Sequence, residues 1–307
     1  MSGASGSGSD KNGAGPWGVV LLAHGSQRGA TSAECACCWK SLQDQPPAWC
    51  AQCPSTPKGL TEAAELLQET LGAGNAKVIL SCLEFIEPRP EQALKMLNQQ
   101  GYRRAVLLPF LLGNGKHATL ELAEVFEEAR AGIPGFQVLL AEGLGAEPEM
   151  AELVLERVRS LRFGGQAPPQ TTPPGAGPTG VLVVKAGTKS QYDDCQWLMD
   201  LGKMVEAQLG PDFAVEVAQS HYGDPTMEDA TARLVEKRHV SSMVVVPYLF
   251  FPGMILRRNV LGTMDRLEQT YPKIPISVTP PLGVGQRIVA VAARRVNQAW
   301  RMAEKTS

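Results

Sequence analysis

The chain reads as an α/β protein made of two duplicated domains, each a parallel sheet flanked by helices. Three observations predict this. Short apolar runs alternate with helical stretches over short connections. Landmarks of the first half recur in the second at a constant offset of 138 residues. A stretch rich in proline and glycine separates the two halves.

The elements of the first half follow in order. Val19–Ala23 is an uninterrupted apolar run and reads as a strand buried on both faces. Thr61–Leu71 carries apolar residues at helical spacing, and Lys77–Leu83 returns to a strand pattern. Pro90–Gln99 opens on a proline suited to a first helical turn and forms the second helix. Ala105–Leu111 is the third strand, Leu120–Ala131 the third helix, and Phe136–Ala141 and Glu149–Ser160 close the half as strand and helix.

The repeat supports the same division. Pro109-Phe-Leu-Leu matches Pro247-Tyr-Leu-Phe, Gly115 matches Gly253, Leu144-Gly145 matches Leu282-Gly283, and Arg157-Val158 matches Arg295-Val296. Earlier in each half, Ala23-His24-Gly25-Ser26 pairs with Lys185-Ala186-Gly187-Thr188 at an offset of 162, so the first half carries an insertion. The expected organisation is a disordered leader at 1–16, a first domain at 17–162 with a cysteine-rich insertion at about 32–58, a linker at 163–179 and a second domain at 180–307.

Composition narrows the classes of function. With 44% hydrophobic residues and a formal charge of −2, nothing marks a nucleic-acid partner. No apolar stretch is long enough to span a bilayer and no signal peptide opens the chain, so a cytoplasmic protein without a membrane partner is expected, with the plastid stroma as the alternative compartment. No nucleotide-binding phosphate loop is found.

Candidate chemistry collects at strand ends. His24 follows an apolar strand and precedes Gly25-Ser26, and His117 follows Gly113-Asn-Gly115-Lys116 after the third strand. In open α/β sheets, ligands bind at the carboxyl ends of strands. Two of the four histidines sharing that edge can hold a divalent metal or move protons near neutral pH. Glu84, at the end of the second strand, is either a loop charge or the third polar group of a metal site. In the second half Ala186 stands for His24 and Ile255 for His117, while His221 falls where Glu84 sits. His221 is either a loop histidine or a contribution from across the cleft, and His239 is read as surface.

These motifs resemble the sirohydrochlorin chelatase family: Ala-His-Gly-Ser after the first strand, Leu-Glu-Phe-Ile-Glu-Pro after the second, Pro-Phe-Leu-Leu-Gly-Asn-Gly-Lys-His after the third, and a closing Gly-Leu-Gly-Ala. The resemblance implies a chelatase-like fold of two similar domains in one long chain, and an ATP-independent lyase that inserts a metal into a tetrapyrrole. It implies His24 and His117 as metal-binding and catalytic residues, with Glu84 near the metal. Fe²⁺ insertion into sirohydrochlorin, giving sirohaem, is the first expectation. Co²⁺ insertion on the cobalamin route is the alternative, and a tetrapyrrole or metal carrier without catalysis is a reading from another class. Lys116 departs from the family pattern.

A substrate with several carboxylates calls for cationic or N–H donors, and Ser26, Arg28, Arg89, Lys116, Arg257 and Arg258 are the candidates at sheet edges, with solvated surface charge as the plain alternative. A monomer with two pseudo-symmetric domains is expected. Cys35, Cys37, Cys38, Cys50 and Cys53 have enough thiols for zinc or an iron–sulfur cluster, for a redox pair, or for no function at all.

Overall fold

A computed structural model describes residues 16–25, 56–84, 87–113, 120–161, 177–189 and 191–306. The first half forms β1 (Trp17–Ala23), α1 (Thr56–Leu71), β2 (Ala76–Cys82), α2 (Pro90–Gln99), β3 (Arg104–Pro109), α3 (Leu122–Gly132), β4 (Gln137–Leu140) and α4 (Pro148–Ser160). The second forms β5 (Thr179–Lys185), α5 (Gln196–Leu209), β6 (Phe213–Gln219), α6 (Met227–Ala232), β7 (Ser242–Tyr248), α7 (Gly262–Thr270), β8 (Ile276–Val278) and α8 (Gln286–Thr306). Wider helical turns at Arg233–Lys237 and Ile255–Leu261 adjoin α6 and α7.

The expected elements are all present, with shifted ends. α1 starts at Thr56, inside the stretch assigned to the insertion, where Thr56-Pro57 is a helix-opening pair. β3 stops at Pro109, so Leu111 lies beyond the strand.

Both sheets are wholly parallel and share one strand order, β2-β1-β3-β4 and β6-β5-β7-β8. Every residue of β1 is buried, as a central strand covered on two faces requires. One face of the first sheet is covered by α2 through Leu94 and Leu97 and by α3 through Val125 and Phe126, with Phe136 of the connection to β4 in the same cluster. The matching face of the second is covered by α6, α7 and the turns beside them through Leu234, Leu256 and Met264.

The remaining faces share a single core. α8, from the second half, packs against α1, β3 and β4, while α4, from the first half, packs against α5 and β7. Each half thus lends its last helix to the other, and one hydrophobic cluster runs from Leu21 and Val154 to Val183 and Val291.

Paired arginines lock this exchange. Arg157 of α4 donates from Nε to Pro281 O at 3.0 Å and from Nη2 to Leu282 O at 2.7 Å. Its counterpart Arg295 of α8 donates to Gly143 O at 3.0 Å and pairs with Glu142 and Glu147. Arg294 adds bonds to Glu147 and Glu149.

Two glycines of the first half receive aromatics of the second. A Cβ on Gly59 would lie 2.3 Å from Phe251 Cε1, and one on Gly113 would lie 3.0 Å from Trp197 Cζ2. Trp197 occupies in the second half the repeat position of Gly59, and Phe251 that of Gly113.

Candidate active site in the cleft between the halves

The carboxyl end of β1 delivers His24 to the sheet edge, and the chain leaving β2 is bound to it. Leu83 N donates to Ala23 O at 2.8 Å and Glu84 N to His24 O at 2.9 Å. His24 and Glu84 are therefore backbone neighbours, both half-buried. Gly25 is needed beside them: its φ is +93° and a Cβ would lie 2.0 Å from Glu84 O.

The second half repeats this corner with other side chains. Ser220 N donates to Lys185 O at 2.9 Å, and a Cβ on Gly187 would lie 1.4 Å from His221 O. His221 thus occupies the Glu84 position. Its Nδ1 lies 2.9 Å from Asn259 Nδ2 and 2.8 Å from Ser220 Oγ. An amide donating to Nδ1 leaves the ring proton on Nε2. Burial, then the nearby Lys185 charge, holds the pKa of His221 below its ordinary value, so the ring is neutral at neutral pH. His239 is exposed, as expected.

Between the halves lies a cavity of about 410 Å³, within the ~300–1,000 Å³ usual for small-molecule sites. Ala23, His24, Gly25 and Phe110–Gly113 line it from the first half, and Lys185, Ala186, Thr188, Tyr248–Phe251 and Ile255 from the second. His24 thus shares this cavity with Ala186 and Ile255, the two residues that replace the histidines in the duplicate. The aromatic lining is ordered, with Phe110 stacked on Phe250 at 4.8 Å between ring centroids and an interplanar angle of 7°.

At the second-half wall Lys185 is buried with every proton engaged. Nζ bonds Asp193 Oδ2 at 2.9 Å, Gln219 Oε1 at 3.0 Å and Ala186 O at 3.2 Å. Asp193 Oδ1 also accepts from Cys195 N at 2.8 Å, and its carboxylate from Trp197 Nε1. Gln219 Oε1 accepts from Thr188 N at 2.7 Å. This network fixes the loop after β5. Sequence reading passed over it, although a lysine ending an apolar strand was a visible signal.

The other expected site residues divide. Arg89 stands at the start of α2, half-buried, with its Nη1 bonded to Leu83 O, so part of its guanidinium braces the loop carrying Glu84. Arg257 is half-buried and Arg258 exposed, on the helical turn that begins at Ile255. His117, Lys116, Ser26, Arg28, Cys35, Cys37, Cys38, Cys50 and Cys53 lie outside the described residues. Among the described residues no cluster of three or more His, Cys, Asp or Glu side chains is placed to hold a metal, and no helix is long and apolar enough to cross a membrane. The described cysteines, Cys82 and Cys195, are buried free thiols, and burial pushes the Cys195 thiol up to about 11.

Comparison with known proteins places this architecture. The CbiX family profile matches residues 51–161 and 180–299, most of the chain and both halves. The chain belongs to the CbiX family. A sirohydrochlorin ferrochelatase of Priestia megaterium is 22% identical to it over 189 residues, 61% of this chain and 64% of its own length. The match spans less than two thirds of that relative. A sirohydrochlorin cobaltochelatase of Saccharolobus solfataricus is 30% identical over 128 residues, 39% of this chain but 95% of its own length. The fold is that of SirB from Bacillus subtilis, solved with Fe³⁺, at a TM-score of 0.68 and 17% identity, covering 94% of this chain and 98% of that one.

Proposed function

We propose that this CbiX-family chain is a sirohydrochlorin chelatase that inserts a divalent metal, Fe²⁺ first, to give sirohaem. The observation that carries the reading is the one-sided cleft, where His24 at the end of β1, with Glu84 beside it, faces apolar replacements across the cavity. Relatives named as sirohydrochlorin ferrochelatase and cobaltochelatase support the substrate class.

Metallation replaces two pyrrole N–H protons by one M²⁺ and releases two H⁺. Neutral imidazoles serve both needs, as ligands that present a partly dehydrated ion and as bases that take the protons. His24 and His117 have these roles, and Glu84 adds a hard oxygen donor with negative charge near the ion. The apolar lining lowers the local dielectric and holds the flat ring, while Ser26, Arg28, Arg89, Lys116, Arg257 and Arg258 are the candidates to meet its carboxylate arms. A monomer suffices, because the two halves of one chain close the cleft.

Co²⁺ is the second metal. Imidazole and carboxylate do not separate it from Fe²⁺, and the relative of 30% identity carries the cobalt name. An anaerobic assay of the purified chain with sirohydrochlorin and Fe²⁺, Co²⁺ or Ni²⁺ tests the reading by absorbance. His24→Ala and His117→Ala should each abolish metallation while ring binding persists. Near-normal turnover in both variants overturns the site, and ring binding without metallation by any metal favours a carrier.

A further inference from the structure

His221 stands just past the end of β6, the edge strand of the second sheet, at the place Glu84 holds in the first half. Its neighbours line the cleft. Gly187, on which a Cβ would lie 2.8 Å from His221 Nδ1, sits between the cavity residues Ala186 and Thr188, and Asn259 shares a helical turn with the cavity residue Ile255. The imidazole is therefore at the edge of the cavity, one strand outward from the wall that β5 and β7 form.

The ring is held in one orientation. Asn259 Nδ2 at 2.9 Å and Ser220 Oγ at 2.8 Å occupy its Nδ1, the Gly187 backbone lies against it, and the Tyr222 ring packs on it with 4.6 Å between centroids. Tyr222 has a φ of +50°, a left-handed conformation that is costly for a bulky residue. That strained turn sets an aromatic ring against the imidazole.

The other nitrogen is unused. With Nδ1 accepting from Asn259, Nε2 carries the proton and has no lone pair to offer a metal. Among the described residues it has no partner. The buried polar atoms without a partner are, among those residues, Thr231 Oγ1, Tyr248 Oη and Trp300 Nε1, so Nε2 of the half-buried His221 is open to solvent. One repeat position thus presents an acceptor in the first half and a fixed donor in the second.

We infer that His221 Nε2–H donates a hydrogen bond to a carboxylate arm of the tetrapyrrole where the arm leaves the cleft beside β6, setting how the ring is turned between the halves. This rests on the chelatase reading given above. A flat ring lying between the walls presents one face to His24 and the other to Ala186 and Ile255, so its periphery, with the carboxylates, emerges at the cavity edge where His221 stands. Arg257 and Arg258, on the helical turn that carries Asn259, add positive charge to this corner.

Two variants test it. His221→Asn keeps a hydrogen-bonding group near the place of Nδ1 and removes the Nε2 donor, while His221→Gln carries an amide N–H out to about the place of Nε2. Metal-free sirohydrochlorin is titrated anaerobically into wild type and both variants and followed by absorbance, with ligand-free melting measured to show that each is folded. Affinity should fall by about tenfold in H221N, the scale of one hydrogen bond to a charged acceptor, and H221Q should keep most of it. Turnover of H221N at saturating ring should stay near that of wild type, since the residue meets the ring's periphery and not its nitrogens. Equal affinities of wild type and H221N overturn the inference, as does H221Q binding as weakly as H221N, or a collapse of turnover with affinity intact. In each of those cases wild type still binds the ring and only the role of His221 falls. If wild type itself fails to bind it, the chelatase reading falls as well.

Discussion

Replacing Arg157 by methionine should loosen the join between the halves without touching the cleft. The guanidinium donates at 3.0 and 2.7 Å to the carbonyls of Pro281 and Leu282, both buried residues of the other half. A hydrogen bond from a charged donor contributes about 1.5–3 kcal/mol, and a buried carbonyl left bare costs about 1–3 kcal/mol. Against this, burial already disfavours the Arg157 charge, holding its pKa below the ordinary value, and methionine relieves that desolvation. The balance is a loss of about 2–4 kcal/mol, or roughly 3–6 °C in Tm for a chain of this size. Urea and thermal denaturation of the purified protein read it directly. Arg157→Lys should recover only part, because one ammonium cannot reproduce a fork spanning two carbonyls. A loss under about 0.5 kcal/mol for R157M, well below the energy of one such bond, or full recovery in R157K, refutes the reasoning.

Two further perturbations probe other polar contacts. Lys185→Met strands the Asp193 carboxylate, whose side chain is 1% exposed, and should cost about 3–5 kcal/mol in urea denaturation. The pair Lys185→Met with Asp193→Asn removes the stranded charge while keeping an acceptor for Cys195 N, and should restore much of the loss; a double variant no better than the single one contradicts this account. Glu149 is held down to about 2 from 4.5, chiefly by its hydrogen bond from Arg294. A carboxyl with a depressed folded pKa stabilises above its unfolded pKa and loses that contribution as pH falls toward the folded one. The advantage of wild type over Glu149→Gln, about 0.5–1 kcal/mol after solvent screening, should stay flat from pH 7 to about 5 and shrink below it. An advantage that does not change between pH 5 and 3 would count against the pairing.

The sequence carried β1 clearly, because a buried parallel strand writes itself as an unbroken apolar run and this one ends where His24 begins the polar turn, whereas the apolar run of β3 continues past its last strand residue, Pro109, and hid the strand's end. The asymmetry of the site was legible too, since the repeat aligned His24 with Ala186, and the structure places both on one cavity. What stayed hidden depends on which surfaces meet. The buried face of α8 fits either sheet equally well on paper, and only the fold shows it lying on the first. Lys185 and Asp193 are eight positions apart across a loop, so their pairing is written in no spacing rule. Arg89 looked like a rim cation because its charge was visible, while the Leu83 carbonyl it braces was not.

The glycine–aromatic contacts bear on how the two halves have come to depend on each other. Gly59 takes Phe251 and Gly113 takes Trp197, so at both related places the small residue comes from one half and the large one from the other. Two copies of the first half, facing each other in this arrangement, would oppose glycine to glycine and leave two holes. Two copies of the second would drive Trp197 into Phe251 twice over. The surfaces have become lock and key within one molecule. A relative about as long as one half of this chain has no such partner encoded beside it. Here neither half can be traded for a second copy of the other, and mutations on one face of the seam are judged by what the opposite face has already become.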